Sequence, residues 1–314
     1  MSFDVSALNN WFDESSNKAG FITKSLLGND TGALVKKVTG IKYKTPLNGF
    51  YASATIVAGG CDDSASGTST FTQRVLEVID QKDVELICAK DLLPKWMNAK
   101  MSAGSPDAVP SEIASIIMAE KARALANANE IAYWQETSLF DGWLKLLADL
   151  GFGGGGDPIK GNPDDITVGT GIVASNIMTI MDKQWALVPA KVKSSHRGEI
   201  VSFVGYDTFT TYGLKMRDLN LFHTPPPAGL EMGFVHPGTG LIVYPVGGLD
   251  GTHQIVTTWK ENLIIGCDVD GEDTQSRWIE VNDKDYEGVK LKTEWKAGVQ
   301  IALPEEVVYF KLHA

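Results

Sequence analysis

Few residues in this 314-residue chain are grouped in a way that supports chemistry. The glycine run at 151–156, within GFGGGGDPIKGNPDD, has the density of a phosphate cradle. A P-loop, however, needs G-x-x-x-x-G-K-[ST], so that backbone N–H groups, a Lys and a hydroxyl converge, and here the run leads into Asp157-Pro158. It reads as a flexible break. The stretch CDVDGEDTQSRW carries Asp268, Asp270, Glu272 and Asp273, a set of hard oxygen ligands suited to calcium. The EF-hand pattern wants Gly at loop position six, where Asp273 stands, and strands rather than helices flank it. An acidic turn between strands is the favoured reading, with a metal near Asp268–Asp273 left open.

The five histidines, His196, His223, His236, His253 and His313, form no HxxxH or HExxH pair. They read as surface or partly buried structural residues. Cys61, Cys88 and Cys267 are odd in number, far apart and without CxxC spacing, which fits reduced thiols in a reducing compartment. No GxSxG or Cys-centred protease signature occurs. Neither a catalytic set nor a cofactor is therefore expected, although folding could still join distant residues into a site on loops near Asp268 or His236.

Composition narrows the classes further. Hydrophobic residues make up 43%, enough for a real core, and the net charge of −11 excludes a strongly basic nucleic-acid binder. Residues 1–45 are locally +2, with Lys36 and Lys37 adjacent. Glycine, 32 residues or about a tenth of the chain against a usual ~7%, argues for many turns and a strand-rich layout. No apolar run approaches the ~18 residues needed to cross a bilayer and the N-terminus has no signal-peptide pattern, so a cytoplasmic protein is expected.

The elements follow from periodicity. Residues 1–45 read as an arm, with weak helical periodicity around Val5, Leu8, Trp11 and Phe12. Strand-like segments at 41–57 and 71–88 flank the small-residue tip AGGCDDSASGTST and make a long hairpin, whose two faces its own domain cannot both cover. A helix is predicted from Ser111 to about Glu136, with Ile113, Ile116, Ile117, Ala124, Ala128 and Ile131 as its apolar stripe. A second starts at a Ser138/Asp141 capping box and stops at Gly151. Beyond the glycine break come GIVASNIMTIMDKQWALVP as helix, EIVSFVG as strand and YDTFTTYGLKMRDLN as helix. The strands LIVYPV, QIVTTW, NLIIG, SRWIEV, VKLKTEW, GVQIAL and VVYFKL follow.

This order, with the segments GFYASATIVAGGC, GTSTFTQRVLEV, ELICAKDLLPKW, EKARALANANEIAYWQ, LFDGWLKLL and LIVYPVGGLDGTHQIVTTWKENLIIGCDV through KAGVQIALPEEVVYF, resembles tailed-phage major capsid proteins of the Hong Kong 97 type, and looks closest to those of crAss-like and other Bacteroidota phages. The match is good over about 49–147 and 240–310 and weak over 151–235. The resemblance implies an α+β capsid fold: an N-terminal arm (1–45), an extended loop and ribbon (46–90), a peripheral domain with a long spine helix (91–150), an axial domain (151–270) and strands returning to the peripheral domain (271–314).

It further implies a non-enzymatic shell protein that assembles with itself into hexamers and pentamers, encloses double-stranded DNA without sequence recognition, and works with separate scaffolding, portal and decoration proteins. The location implied is the virion capsid, assembled in the bacterial host cytoplasm. Tyr51, Cys61, Asp62, Thr72 and Arg74 of the extended loop would contact a neighbouring subunit, and Lys36 and Lys37 would face DNA. Some members crosslink through a Lys in this loop, but here none lies between Lys44 and Lys82, so a non-covalent shell is expected. An encapsulin-like compartment on the same fold, and an α/β enzyme with a loop-borne site, are the alternatives.

Overall fold

The computed structural model describes residues 24–25, 29–53, 56, 67–87, 111–161, 171–221, 232–268, 275–283 and 286–312. The strand Tyr286–Ile301 (β12), formed by 16 residues, organises the first sheet. Its side chains alternate along much of its length, with Val289, Leu291, Thr293, Trp295 and Ala297 buried and the residues between them half-buried, as a two-residue period demands. VKLKTEW and GVQIAL, read as separate strands, are thus one. Gly298, the first residue of GVQIAL, continues the ladder opposite Gly266.

Along one edge of β12 lies Ile79–Ile87 (β4), paired from Ala297↔Ile79 to Val289↔Ile87. Along the other lie Leu263–Cys267 (β10) and Gln275–Asp283 (β11), which share that edge end to end. Lys36–Val38 (β1) then pairs in parallel with β10. Part of the stretch read as an arm therefore belongs to the folded body: Thr31, Leu34, Val35 and Ile41 are buried.

Lys44–Ser53 (β2) and Thr68–Glu77 (β3) form a separate two-stranded ribbon, in register from Lys44↔Glu77 to Ser53↔Thr68. Ten residues per strand reach about 33 Å at ~3.3 Å per residue. At Val78 the chain passes from this ribbon into β4, and the Val78 N–H donates to the Tyr43 carbonyl at 2.9 Å. The crossing is tight. A Cβ on Gly298 would lie 1.9 Å from the Glu77 carbonyl oxygen, so only glycine lets the ribbon's root pass over β12.

A second, six-stranded sheet runs β5-β13-β9-β6-β8-β7, from Ile159–Lys160 (β5), Val308–Phe310 (β13), Ile255–Trp259 (β9), Ile200–Val204 (β6), Ile242–Pro245 (β8) and Phe234–Val235 (β7). All five β6 residues are buried, Ser202 among them with its hydroxyl 2.9 Å from that of Thr257. Helices Ile177–Leu187 (α3) and Tyr206–Asp218 (α5) pack on this sheet through Ile177, Ile180, Met181, Tyr212 and Met216, with the short Ala190–Ser195 (α4) beside them.

The helix Ser111–Gln135 (α1) and the shorter Trp143–Leu150 (α2) cover the main core between the two sheets. Its centre is aromatic: Trp134 meets Trp143 edge-on at 4.8 Å and Phe203 at 5.5 Å. The α1 stripe expected from sequence is not the buried one. Met118, Ala122, Leu125, Ala126, Asn129, Glu130, Tyr133 and Trp134 are buried, whereas Ile116 and Ile131 are 44% and 50% exposed and Ala124 and Ala128 point outward. The rotation is set by Tyr133 and Trp134, whose large rings gain more by burial than isoleucines and alanines do.

The expected Ser138/Asp141 capping box is likewise absent. Glu136 accepts the backbone N–H groups of Thr137, Ser138 and Leu139, and α2 starts two residues after Asp141 with Gly142 at its N-cap. Those backbone hydrogen bonds, Ser138's first, hold the Glu136 carboxyl below the usual carboxylate range. Gly151, with φ 73°, ends α2 as expected.

Gly298→Ala is expected to lower the unfolding free energy of the protein by about 2–3 kcal/mol, the cost of a core overlap that the backbone must relieve. Urea unfolding followed by tryptophan fluorescence measures it.

Candidate assembly surfaces

Alternation divides the β2–β3 ribbon into two unlike faces. One carries Leu47, Gly49, Thr72, Arg74 and Leu76 and leans on the body. Leu76 is fully buried with Ile41, Val78 and Ile264, and Leu47 packs against them. A Cβ on Gly49 would meet the Thr72 hydroxyl at 2.5 Å and the Leu303 side chain at 3.3 Å, so the ribbon sits close to the body at this point.

The other face carries Pro46, Asn48, Phe50, Phe71, Gln73 and Val75. Phe50 and Phe71 are direct cross-strand partners with ring centroids 4.9 Å apart, yet they remain 58% and 80% exposed. Such pairs stabilise a two-stranded ribbon, here reinforced by Gln73 Nε2 donating to Asn48 Oδ1 at 3.0 Å and by the Lys44–Glu77 ion pair at 2.9 Å. Toward the root this face runs into a cavity of about 280 Å³ lined by Val75, Ile79, Leu139, Phe140, Leu146 and Val299, with Glu77 and Asp141 also in its wall. Aromatic rings, Val75 and the half-exposed Leu139 thus form one apolar track on an outer surface.

Of the residues assigned to contact with a neighbour, Thr72 is exposed and Arg74 half-buried, both on the body-side face, and burial draws the Arg74 guanidinium below its usual range. Tyr51 lies in β2 opposite Thr70. Cys61 and Asp62 lie outside the described residues. Phe50, Phe71 and Val75 went unnoticed in the sequence. The signal that would find them is the register: once the hairpin is centred on its tip, the two phenylalanines fall opposite one another. Lys36 and Lys37 are both exposed on β1, and as neighbours in a strand they point to opposite faces rather than making one patch.

The groups considered for chemistry have structural partners. His236, almost wholly buried, lies 3.0 Å from the Tyr212 hydroxyl through Nδ1 and 2.9 Å from Asp182 Oδ1 through Nε2. His196 stacks on Trp259 at 4.2 Å. Asp268 and Cys267 are buried at the end of β10, while Asp270, Glu272 and Asp273 lie outside the described residues. Among the described residues no group of three or more His, Cys, Asp or Glu side chains could hold a metal ion, and no helix is long and apolar enough to cross a membrane.

Comparison with protein-family models gives no match, and comparison with curated proteins gives none. Solved structures do match, over nearly the whole chain. The chain is similar to one in the satellite phage P4 procapsid that includes the size determination (Sid) protein, at 14% identity and a TM-score of 0.59, covering 98% of this chain and 96% of that one. It is also similar to a chain of Mycobacterium phage Bobi, at 9% identity and a TM-score of 0.54 with 91% of each chain covered. A chain of Gordonia phage Cozz aligns at 16% identity and a TM-score of 0.51, over 91% of this chain and 87% of that one.

His236→Leu is expected to cost about 1–3 kcal/mol of stability by leaving the buried Tyr212 hydroxyl without its partner. Thermal unfolding of the variant measures it. These likenesses, at identities too low to carry more than architecture, give the chain the Hong Kong 97-type fold of tailed-phage capsid proteins.

Proposed function

We propose that this protein is a major capsid protein that assembles with itself into the hexamers and pentamers of an icosahedral shell around double-stranded DNA. The observation that carries the reading is the ribbon's outer face, where Phe50 and Phe71 stand in the open on a fold shared along its whole length with phage capsid chains. A two-stranded ribbon is marginal alone in water, and a second copy of the chain is the partner that covers it. A closed shell needs at least two kinds of inter-subunit contact. The ribbon supplies one, and the outward Ile116/Ile131 face of α1 and the tips of the second sheet supply others.

The net charge of −11 suits a container, because each phosphate contact adds salt-dependent affinity that would hold the genome to the wall. Within this reading Tyr51, Cys61, Asp62, Thr72 and Arg74 take part in the inter-subunit contact, and Lys36 and Lys37 make the limited contact with DNA. Scaffolding, portal and decoration proteins are separate chains, assembly proceeds in the bacterial host cytoplasm, and kinship with capsid proteins of crAss-like and other Bacteroidota phages belongs to the same reading. The protein has no catalytic role.

Electron microscopy of the purified protein tests the proposal: closed shells, tubes or capsomer rings are expected, and a monomer that persists at high concentration would overturn it. Particles filled with a protein cargo rather than DNA would point to the compartment alternative. Phe50→Ser with Phe71→Ser is expected to abolish assembly, read by size-exclusion chromatography, while changing the unfolding free energy of the subunit by less than about 1 kcal/mol, since exposed rings stabilise the fold little. With no Lys between Lys44 and Lys82, boiled particles should migrate on SDS gels as a 34.0 kDa monomer without a covalent ladder.

A further inference from the structure

One ionisable group sits where three parts of the subunit meet. Glu130, on α1, is only 3% exposed. Its carboxylate accepts the Thr31 backbone N–H at 3.2 Å, the Thr31 hydroxyl and the Gly248 backbone N–H. The Thr31 hydroxyl in turn accepts Trp134 Nε1–H at 2.8 Å. Two further bonds fasten the same segment: Asn129 Nδ2 donates to the Ser25 carbonyl at 3.0 Å, and the Tyr206 hydroxyl donates to Asp30 Oδ2 at 2.6 Å. The chain leading into β1 is thus held to the long helix, to the start of α5 and to the 3-10 turn Gly247–Leu249 through one cluster. The approach is close: a Cβ on Gly248 would lie 2.1 Å from the Trp134 ring.

We propose that Glu130 is a proton-operated latch, which when protonated holds the segment around Thr31 on the long helix and when ionised favours its release. The titratable groups that face the carboxyl are Asp30 from the segment itself, Tyr133 on the same helix, Tyr206 at the start of α5 and Tyr244 on β8. None of these is basic. Burial disfavours the carboxylate most and the Asp30 charge adds to that, while the Thr31 and Gly248 hydrogen bonds only partly offset it. Together they push Glu130 up from 4.5 to about 7. On protonation the Thr31 contact can reverse: the hydroxyl oxygen has a second lone pair beside the one that takes the Trp134 N–H, and accepts from the acid in place of donating to it.

Releasing the segment returns Glu130 to water and to its ordinary range near 4.5. The latched state therefore binds the proton more tightly than the released one. Its advantage is complete below about pH 4.5 and is lost as the pH rises through about 7. For those two values the latched-to-released ratio falls about tenfold between pH 6 and pH 8. The latch operates within a single subunit and holds whether or not the shell reading is right.

Hydrogen–deuterium exchange of the full-length unassembled protein, corrected for intrinsic exchange rates, tests it. The opening constant of residues 29–35 is expected to rise about tenfold from pH 6 to pH 8. In Glu130→Gln that pH dependence should vanish. In Asp30→Asn, which keeps a hydrogen-bond acceptor for Tyr206, the midpoint should move to lower pH, and this variant remains informative if the glutamine variant folds poorly. An opening constant that does not change with pH in the natural protein, or a change that persists in Glu130→Gln with its midpoint unmoved in Asp30→Asn, would overturn the proposal.

Discussion

The molecule depends on a backbone crossing. The chain leaves the ribbon at Glu77, passes over β12 at Gly298 with no space for a side chain, and immediately becomes the strand that flanks β12. Because both edges of β12 are occupied, the ladder fixes the register of β4, β10 and β11 together. The direction of the ribbon is thereby fixed relative to the main sheet. Gln300 Nε2, donating to the Val75 carbonyl at 2.7 Å, secures the same crossing from the side.

The long helix completes the frame by pressing an aromatic end, not an aliphatic stripe, into the core. Trp134 is buried among Trp143, Phe203 and the 3-10 turn at Gly248, and Lys121 ties the middle of the helix to β4 through Asp83 at 2.6 Å and Glu85 at 2.8 Å. Burial works against the Lys121 charge, but these two acids outweigh it and hold the ammonium above its usual range. Rotating the helix so that its rings face inward leaves Ile116 and Ile131 outside.

Much of the element order was legible because each signal is local. The short, mostly apolar segments of β6 and β10, the 25-residue stretch of α1 without Gly or Pro, and Gly151 after α2 follow from period, propensity and cap chemistry. Where local signals competed, the reading failed. VKLKTEW and GVQIAL looked like two strands and are one, with Gly298 lying under the crossing chain. Ser138 and Asp141 looked like a cap and were displaced by Glu136, whose side chain reaches three backbone donors at once.

By itself, then, the sequence determined the class of the molecule: an acidic, strand-rich chain with a long hairpin and a long helix, whose order of elements resembles that of phage capsid chains. Only the tertiary structure decided which surfaces face outward and which charges are buried. Phe50 and Phe71 become a pair only once the register is set. Glu130 becomes a buried carboxyl only once Thr31, about a hundred residues away, closes over it. Exposure and desolvation are properties of juxtaposition across the chain, and no local pattern of residue types encodes them.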